Sequence, residues 1–153
     1  AVKEEGLAKA IGVSNFPVAL IERAVAAARG PLVANQVEYH PHLDQSKVLA
    51  AVRRHGMALT AYCPLARGRL FHNETVRRIA GAHGCTPSAV LLAWLIGQDV
   101  VAAIPKSGSR ERIAENFGAL SVTLQPAEME ALSALARPDG RIIDPAFGPA
   151  WDD

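Results

Sequence analysis

Residues 100–118 read VVAAIPKSGSRERIAENFG, and the rest of the chain can be worked outward from them. Val100 to Ile104 are all β-branched or small and apolar, which suits a strand covered on both faces. Pro105 to Ser109 interrupts that run, and Arg110 to Phe117 follows with helical spacing. The same unit recurs upstream. Lys9 to Val13 reads as a short buried strand, Ser14-Asn15-Phe16-Pro17 as its exit, and Val18 to Ala28 as an amphipathic helix that Gly30 and Pro31 stop. Leu32 to Tyr39 predicts a second strand, followed by Pro41, by Asp44 as an N-cap, and by a helix to His55 that Gly56 terminates. Met57 to Tyr62 predicts a third strand, leading through the loop Cys63 to Leu70 into two helices, Glu74 to His83 and Pro87 to Leu95. Asn73 and Thr86 are their caps, with Pro87 at the first helical position.

Continuous apolar strands alternating with helices indicate a parallel sheet, because each crossover helix packs back onto it. Two architectures compete. A small doubly wound sheet suits the length, whereas a (β/α)8 TIM barrel needs about 250 residues and eight such units. Four units in 153 residues amount to half a barrel. After Leu120 a further helix, Pro126 to Ala136, precedes an irregular tail, Arg137 to Asp153, which is rich in Pro, Gly and Asp and too short for another unit. That tail, with Trp151, either closes over a site or frays. Ala1 to Gly6 reads as the end of a helix, and with Ala in place of an initial Met the chain is expected to be a fragment.

Composition narrows the function. The chain is 50% hydrophobic, with 16 basic and 15 acidic residues, which suits a single globular domain. The charges are scattered and matched, without the basic stripe expected of a nucleic-acid binder. No run approaches the roughly 18–20 apolar residues of a membrane span, and no secretory leader opens the chain. Cys63 and Cys85 lack neighbours at metal-ligand spacing and read as reduced thiols, so a cytoplasmic, metal-free protein is expected.

Several stretches carry candidate chemistry. The start of the helix after Pro105 offers free backbone N–H groups and a positive dipole end, and Lys106, Ser107, Ser109 and Arg112 surround it with charge and hydroxyls. An ordinary capped surface helix has the same ingredients. The position favours an anion site, since phosphate sites in barrels gather at the last strands, and Arg112 and Asn116 share one helical face. In Asn35-Gln36-Val37-Glu38-Tyr39-His40-Pro41, polar side chains enter a buried strand, with Gln36, Glu38 and His40 on one face and Asn35, Val37 and Tyr39 on the other. Glu38 and His40 read as a satisfied core pair sooner than as an acid–base couple, and Gln36 is the better ligand candidate. Tyr62 closes its strand where an aromatic either stacks on a flat ring or finishes the core. Cys63 carries no mark of an activated thiol. The chain has neither the dinucleotide glycine fingerprint nor a Walker-type loop, so a bound nucleotide needs another cradle.

Taken together, Gly12-Val13-Ser14-Asn15-Phe16, Asn35 to Pro41, Ala61-Tyr62-Cys63-Pro64-Leu65 and Ile104-Pro105-Lys106-Ser107, with Arg112 and Glu115-Asn116 after it, resemble the aldo-keto reductases in order and spacing. The resemblance runs from Gly6 through the helix at Pro126. The surroundings, including Ala66-Arg67-Gly68, look closest to bacterial 2,5-diketo-D-gluconate reductase-like members. It implies a (β/α)8 barrel that binds NADP(H) without a Rossmann fold. It assigns Ser14, Asn15 and Gln36 to the nicotinamide carboxamide and Tyr62 to stacking on the nicotinamide ring. Cys63 and Leu65, with the loop to Gly68, run along the pyrophosphate. Lys106, Ser107 and Arg112 take the adenosine 2′-phosphate, and Glu115 and Asn116 the adenine end. Cys63 stands where many members have Ser, and Gly108 where a small apolar residue is common.

The resemblance also implies an activity, hydride transfer between NADP(H) and an aldehyde or ketone. The family's general acid is a Tyr with a lowered pKa, supported by Lys, Asp and His from the first half of the barrel. Tyr39 and Tyr62 belong to other motifs, so no catalytic residue is transferred to this chain, and the chain alone is expected to be inactive. The alternative is a non-catalytic half-barrel that binds a nucleotide or assembles through its open sheet edges with a complementary half or another copy.

Overall fold

The computed structural model describes residues 2–152. Its elements run β1 (Ile11–Ser14), α1 (Val18–Ala27), β2 (Leu32–Glu38), α2 (Ser46–Arg54), β3 (Ala58–Tyr62), α3 (Glu74–Ala82), α4 (Pro87–Ile96), β4 (Val101–Ala103), α5 (Arg110–Gly118) and α6 (Pro126–Ser133). Short 3-10 turns occupy Ala66–Gly68 and Ala119–Ser121. Each element falls where the sequence predicts, with ends shifted by up to three residues: β1, α4 and α5 each run one residue further, and α6 stops at Ser133 instead of Ala136. The opening differs. Val2 to Gly6 forms turns, with the Leu7 N–H donating to the Val2 carbonyl at 2.9 Å and Gly6 at φ 72°, and Ala1 lies outside the described residues.

All three strand pairings are parallel, and the order across the sheet is β1-β2-β3-β4. A doubly wound sheet reverses its order at a switch point; here the order never reverses. With right-handed crossovers running one way, the helices cover one face and leave the other open, as in half of a (β/α)8 barrel. The burial pattern follows. In register across the sheet, Asn35, Leu59 and Val101 face the helices, whereas Gln36, Thr60 and Ala102 face the open side, where Gln36 and Ala102 are exposed.

The core lies between the sheet and the helices. From Ser88 to Leu95, α4 is buried throughout, which its apolar composition all round requires. It rests on β4 and on α3, whose Val76, Ile79 and Ala80 form a buried stripe. The Asn73 carboxamide accepts from the Val76 N–H at 3.2 Å and the Thr86 hydroxyl from the Ala89 N–H at 3.2 Å, the caps the sequence predicts. Asp44 is a correction: the capping position of α2 is Gln45, although the Asp44 carboxylate does accept from the Ser46 N–H at 2.8 Å. Gln45 is displaced into the cap because its own side chain is buried and donates to the Glu38 carbonyl at 2.8 Å.

The tail closes back onto the sheet. Arg137 N–H donates to the His42 carbonyl at 3.1 Å, and a Cβ on Gly140 would stand 1.8 Å from that same oxygen, so only glycine fits there. Farther on, the Asp152 carboxylate accepts from Val18 N–H at 2.7 Å and so caps α1, which has no side-chain cap of its own from Pro17. Among the described residues no single helix is long and apolar enough to cross a membrane.

Candidate functional site

The candidate cofactor-binding residues gather towards the carboxyl ends of the strands, except those on α5, which begins just beyond β4. They form two connected groups. The first spans β1 to β3. The Ser14 hydroxyl donates to the Gln36 carbonyl at 3.0 Å, Asn15 N–H donates to that same carbonyl at 2.9 Å, and the Tyr62 hydroxyl donates to the Asn15 side-chain oxygen at 3.0 Å. Asn15 holds φ 57°, a left-handed conformation that asparagine tolerates better than most residues, and this turns its carboxamide towards Tyr62. Gln36 is exposed on the open face.

The second group lines a cleft of about 720 Å³ between the loop after β3 and the β4–α5 junction. Cys63 and Leu65 stand on one wall; Lys106, Ser107, Arg112, Glu115 and Asn116 stand on the other. Tyr62 joins the two groups through its peptide bond to Cys63. The Ser109 hydroxyl accepts from Arg112 N–H at 3.4 Å and caps α5, whereas the Ser107 hydroxyl accepts from Ser109 N–H at 3.2 Å and tightens the loop. Among the described residues neither Lys106 nor Arg112 is in an ion pair, so the cleft carries two cations without a carboxylate partner. Arg67, in the left-handed region at φ 51°, lines the cleft as a third cation, with Phe71 beside it. Arg67 lies in the loop to Gly68 that the resemblance lays along the pyrophosphate, where it was not singled out by itself.

The strand 35–41 divides differently from simple alternation. Asn35 is buried and uses its side chain on the Phe16 backbone, donating to the carbonyl at 2.8 Å. Glu38 and His40 share the face of Gln36 by parity, yet both are fully buried because the tail covers them. His40 Nε2 lies 2.8 Å from Glu38 Oε1, and Ile142 and Ile143 donate their N–H groups to the two carboxylate oxygens at 2.8 and 2.7 Å. The carboxylate is therefore satisfied within the fold, whereas the His40 Nδ1 is buried without a hydrogen-bond partner among the described residues, so the expected core pair is satisfied only in part. Burial pushes the Glu38 carboxyl up, but the His40 ring and the two backbone N–H groups outweigh it and hold it below the usual carboxylate range.

Neither of the chain's tyrosines is tuned as an acid. Burial raises Tyr39 to about 12, with its hydroxyl donating to Gln98 at 2.8 Å, and burial followed by the Glu38 charge raises Tyr62 as well.

The parallel half-barrel, with a cationic cleft at the ends of its last two strands, places the chain among the α/β barrels. The sequence profile of the Aldo/keto reductase family matches residues 1–137, and the chain belongs to that family. It is similar to methylglyoxal reductase DkgB of Escherichia coli O157:H7, at 38% identity over 151 residues, covering 98% of this chain and 56% of the relative. Its fold is similar to a crystal structure provisionally named as a 2,5-diketo-D-gluconic acid reductase B, with a TM-score of 0.97 and 41% identity over 99% of this chain and 54% of that one. A variant of Gox0644 in complex with NADPH superposes with a TM-score of 0.88 at 33% identity, covering 94% of this chain and 52% of that one. The chain thus spans about half the length of the relatives it matches.

Proposed function

We propose that this chain is the cofactor-binding half of an NADPH-dependent aldo-keto reductase acting on an aldehyde or ketone in the cytoplasm. The observation that carries the reading is the cleft in which Lys106 and Arg112, free of carboxylate partners, stand opposite Cys63 and Leu65. Its volume falls within the few hundred to about 1,000 Å³ usual for small-molecule sites. Two unpaired cations and the capped start of α5 suit a phosphate monoester, which supports the 2′-phosphate role of Lys106, Ser107 and Arg112. Glu115 and Asn116, farther along the same helix, lie where an adenine would extend. Beyond Cys63, the band of Ser14, Asn15, Gln36 and Tyr62 offers carboxamide partners and a half-buried ring, as a nicotinamide requires.

NADPH supplies a hydride for the carbonyl carbon. The part of this chain is to hold and orient: Tyr62 fixes one face of the ring, and the Asn15 contact keeps the tyrosine in place. Proton donation falls to a group outside these 153 residues, a reading supported by the upward shift of both tyrosines.

The test is Arg112→Ala. It is expected to weaken NADPH binding about tenfold or more, with little change for NADH, as measured by fluorescence titration. Equal loss for both, or equal affinity of the unaltered chain for NADPH, NADH and inorganic phosphate, would sink the 2′-phosphate assignment.

A second reading, a nucleotide-binding half-barrel that works by assembly, draws on the sheet edges. β1 and β4 each pair with one strand only, and Ile104, Ile113, Phe117 and Leu120 are exposed beside β4. Such edges favour a complementary half or a second copy. A reading frame encoding the missing Asp, Tyr, Lys and His motifs immediately upstream of the codon for Ala1 favours the enzyme over the module.

A further inference from the structure

The contacts of Glu38 are left over once the cofactor cleft has been described. A buried carboxylate that served only packing could be exchanged for an apolar side chain at little loss. Glu38 instead spends both oxygens on the backbone N–H groups of Ile142 and Ile143, in a segment with no helix or strand to satisfy them. His40 braces the carboxylate from the sheet side, and the Gln45 side chain grips the Glu38 carbonyl behind it. Ile142 also packs against the core, and the other polar contacts of the tail are internal or distal. Arg141 stacks 3.8 Å over the Trp151 ring, the Trp151 indole N–H donates to Asp144 at 2.8 Å, and Asp152 caps α1.

We propose that the buried Glu38–His40 pair is a latch: it holds residues 141–152 as a strap across the carboxyl ends of β1 and β2, and thereby fixes the rim of the candidate site beside Tyr62. Glu38 and Tyr62 are direct partners in the β2–β3 register, so the mooring point adjoins the ring on the neighbouring strand. The Glu38 charge raises the Tyr62 pKa and the Arg141 charge opposes it. Between its two moorings the strap turns at Gly148, whose N–H donates to the Pro145 carbonyl at 2.7 Å, and it holds Phe147 out to solvent at 91% exposure. Glu38 is thus a positioning residue that acts through the strap.

The experiment needs no cofactor, so the latch and the cofactor reading can fail separately. Glu38→Gln keeps the side-chain shape but replaces one acceptor oxygen with a donor. Ile143→Pro removes one strap N–H and leaves Glu38 in place. In both proteins amide exchange at Ile142 is expected to quicken at least tenfold, with the β2 and β3 amides of Val37, Leu59 and Ala61 unchanged. Acrylamide quenching reads the same event. Trp151 should become more accessible, while Trp94, at 3% exposure, stays shielded as the internal control. A folded E38Q protein with unchanged strap exchange and quenching overturns the proposal. If E38Q unfolds, I143P decides: a loosened strap over an unmoved sheet supports the latch, and an unmoved strap overturns it.

Discussion

Asn15, Cys63, Ala66 and Arg67 all hold positive φ without being glycine, and all four sit just beyond β1 or β3. Such conformations cost on the order of 1 kcal/mol each, and they persist because short hydrogen-bonded turns enforce them, with Ala66 N–H on the Cys63 carbonyl at 2.9 Å and Gly68 N–H on the Leu65 carbonyl at 2.8 Å. Cys63 and Arg67 line the cleft, whereas Val100, also at positive φ, lies at the opposite end of β4. Cys63 is the residue on the cleft wall whose chemistry is easiest to vary. A thiol is a weaker hydrogen-bond donor than a hydroxyl of similar shape, so Cys63→Ser should tighten a pyrophosphate contact by about 0.5–1.5 kcal/mol. Because the pyrophosphate is common to both nucleotides, NADPH and NADH should gain by the same factor in a binding titration. A gain confined to NADPH would contradict the wall's assignment. Motif and spacing singled out the candidate residues that the structure brings together around β1 to β3 and the cleft. Arg67 was not singled out by itself, because a turn residue announces its conformation in the sequence only when it is glycine, proline or asparagine.

At the scale of elements, the helices begin where short polar side chains can accept the first free N–H groups. Asn73, Thr86 and Ser109 each do so, and the first two were read as caps from the sequence because capping depends on neighbours within a few residues. Asn73→Ala should cost about 1 kcal/mol, read as a fall in Tm of about 2–4 °C for a chain of this size. Helix α1 is the instructive exception. Its cap comes from Asp152, 134 residues away, and no local pattern can encode a partner at that separation. Gln45 tells the same story on α2, where its buried amide is drawn to Glu38 and the Asp44 cap is shifted by one position.

For the whole molecule, the unreversed strand order leaves both edge strands unpaired on their outer sides and, apart from the part beneath the tail, one face of the sheet open among the described residues. On the proposed reading, cofactor grip and proton donation fall to different parts of the protein. The 153-residue chain is expected to bind NADPH but not to oxidise it in the presence of a small aldehyde. Absorbance at the reduced-nicotinamide band, followed beside a full-length reductase, checks this. Turnover at a comparable rate would mean that one of the two tyrosines serves as the acid despite its raised pKa.

Alternating strands and helices, their caps, the parallel class and the cationic loop after β4 were all determined by the sequence alone, since periodicity and capping act over a few residues. Tertiary structure decided which buried polar groups are functional candidates and which are structural. Gln36 and Glu38 share a strand and a face, yet the first is open to a ligand and the second is sealed beneath Ile142 and Ile143, more than a hundred residues away. The difference lies in where an irregular tail comes to rest. That depends on backbone groups seeking acceptors across the fold, and such groups are the same in every sequence.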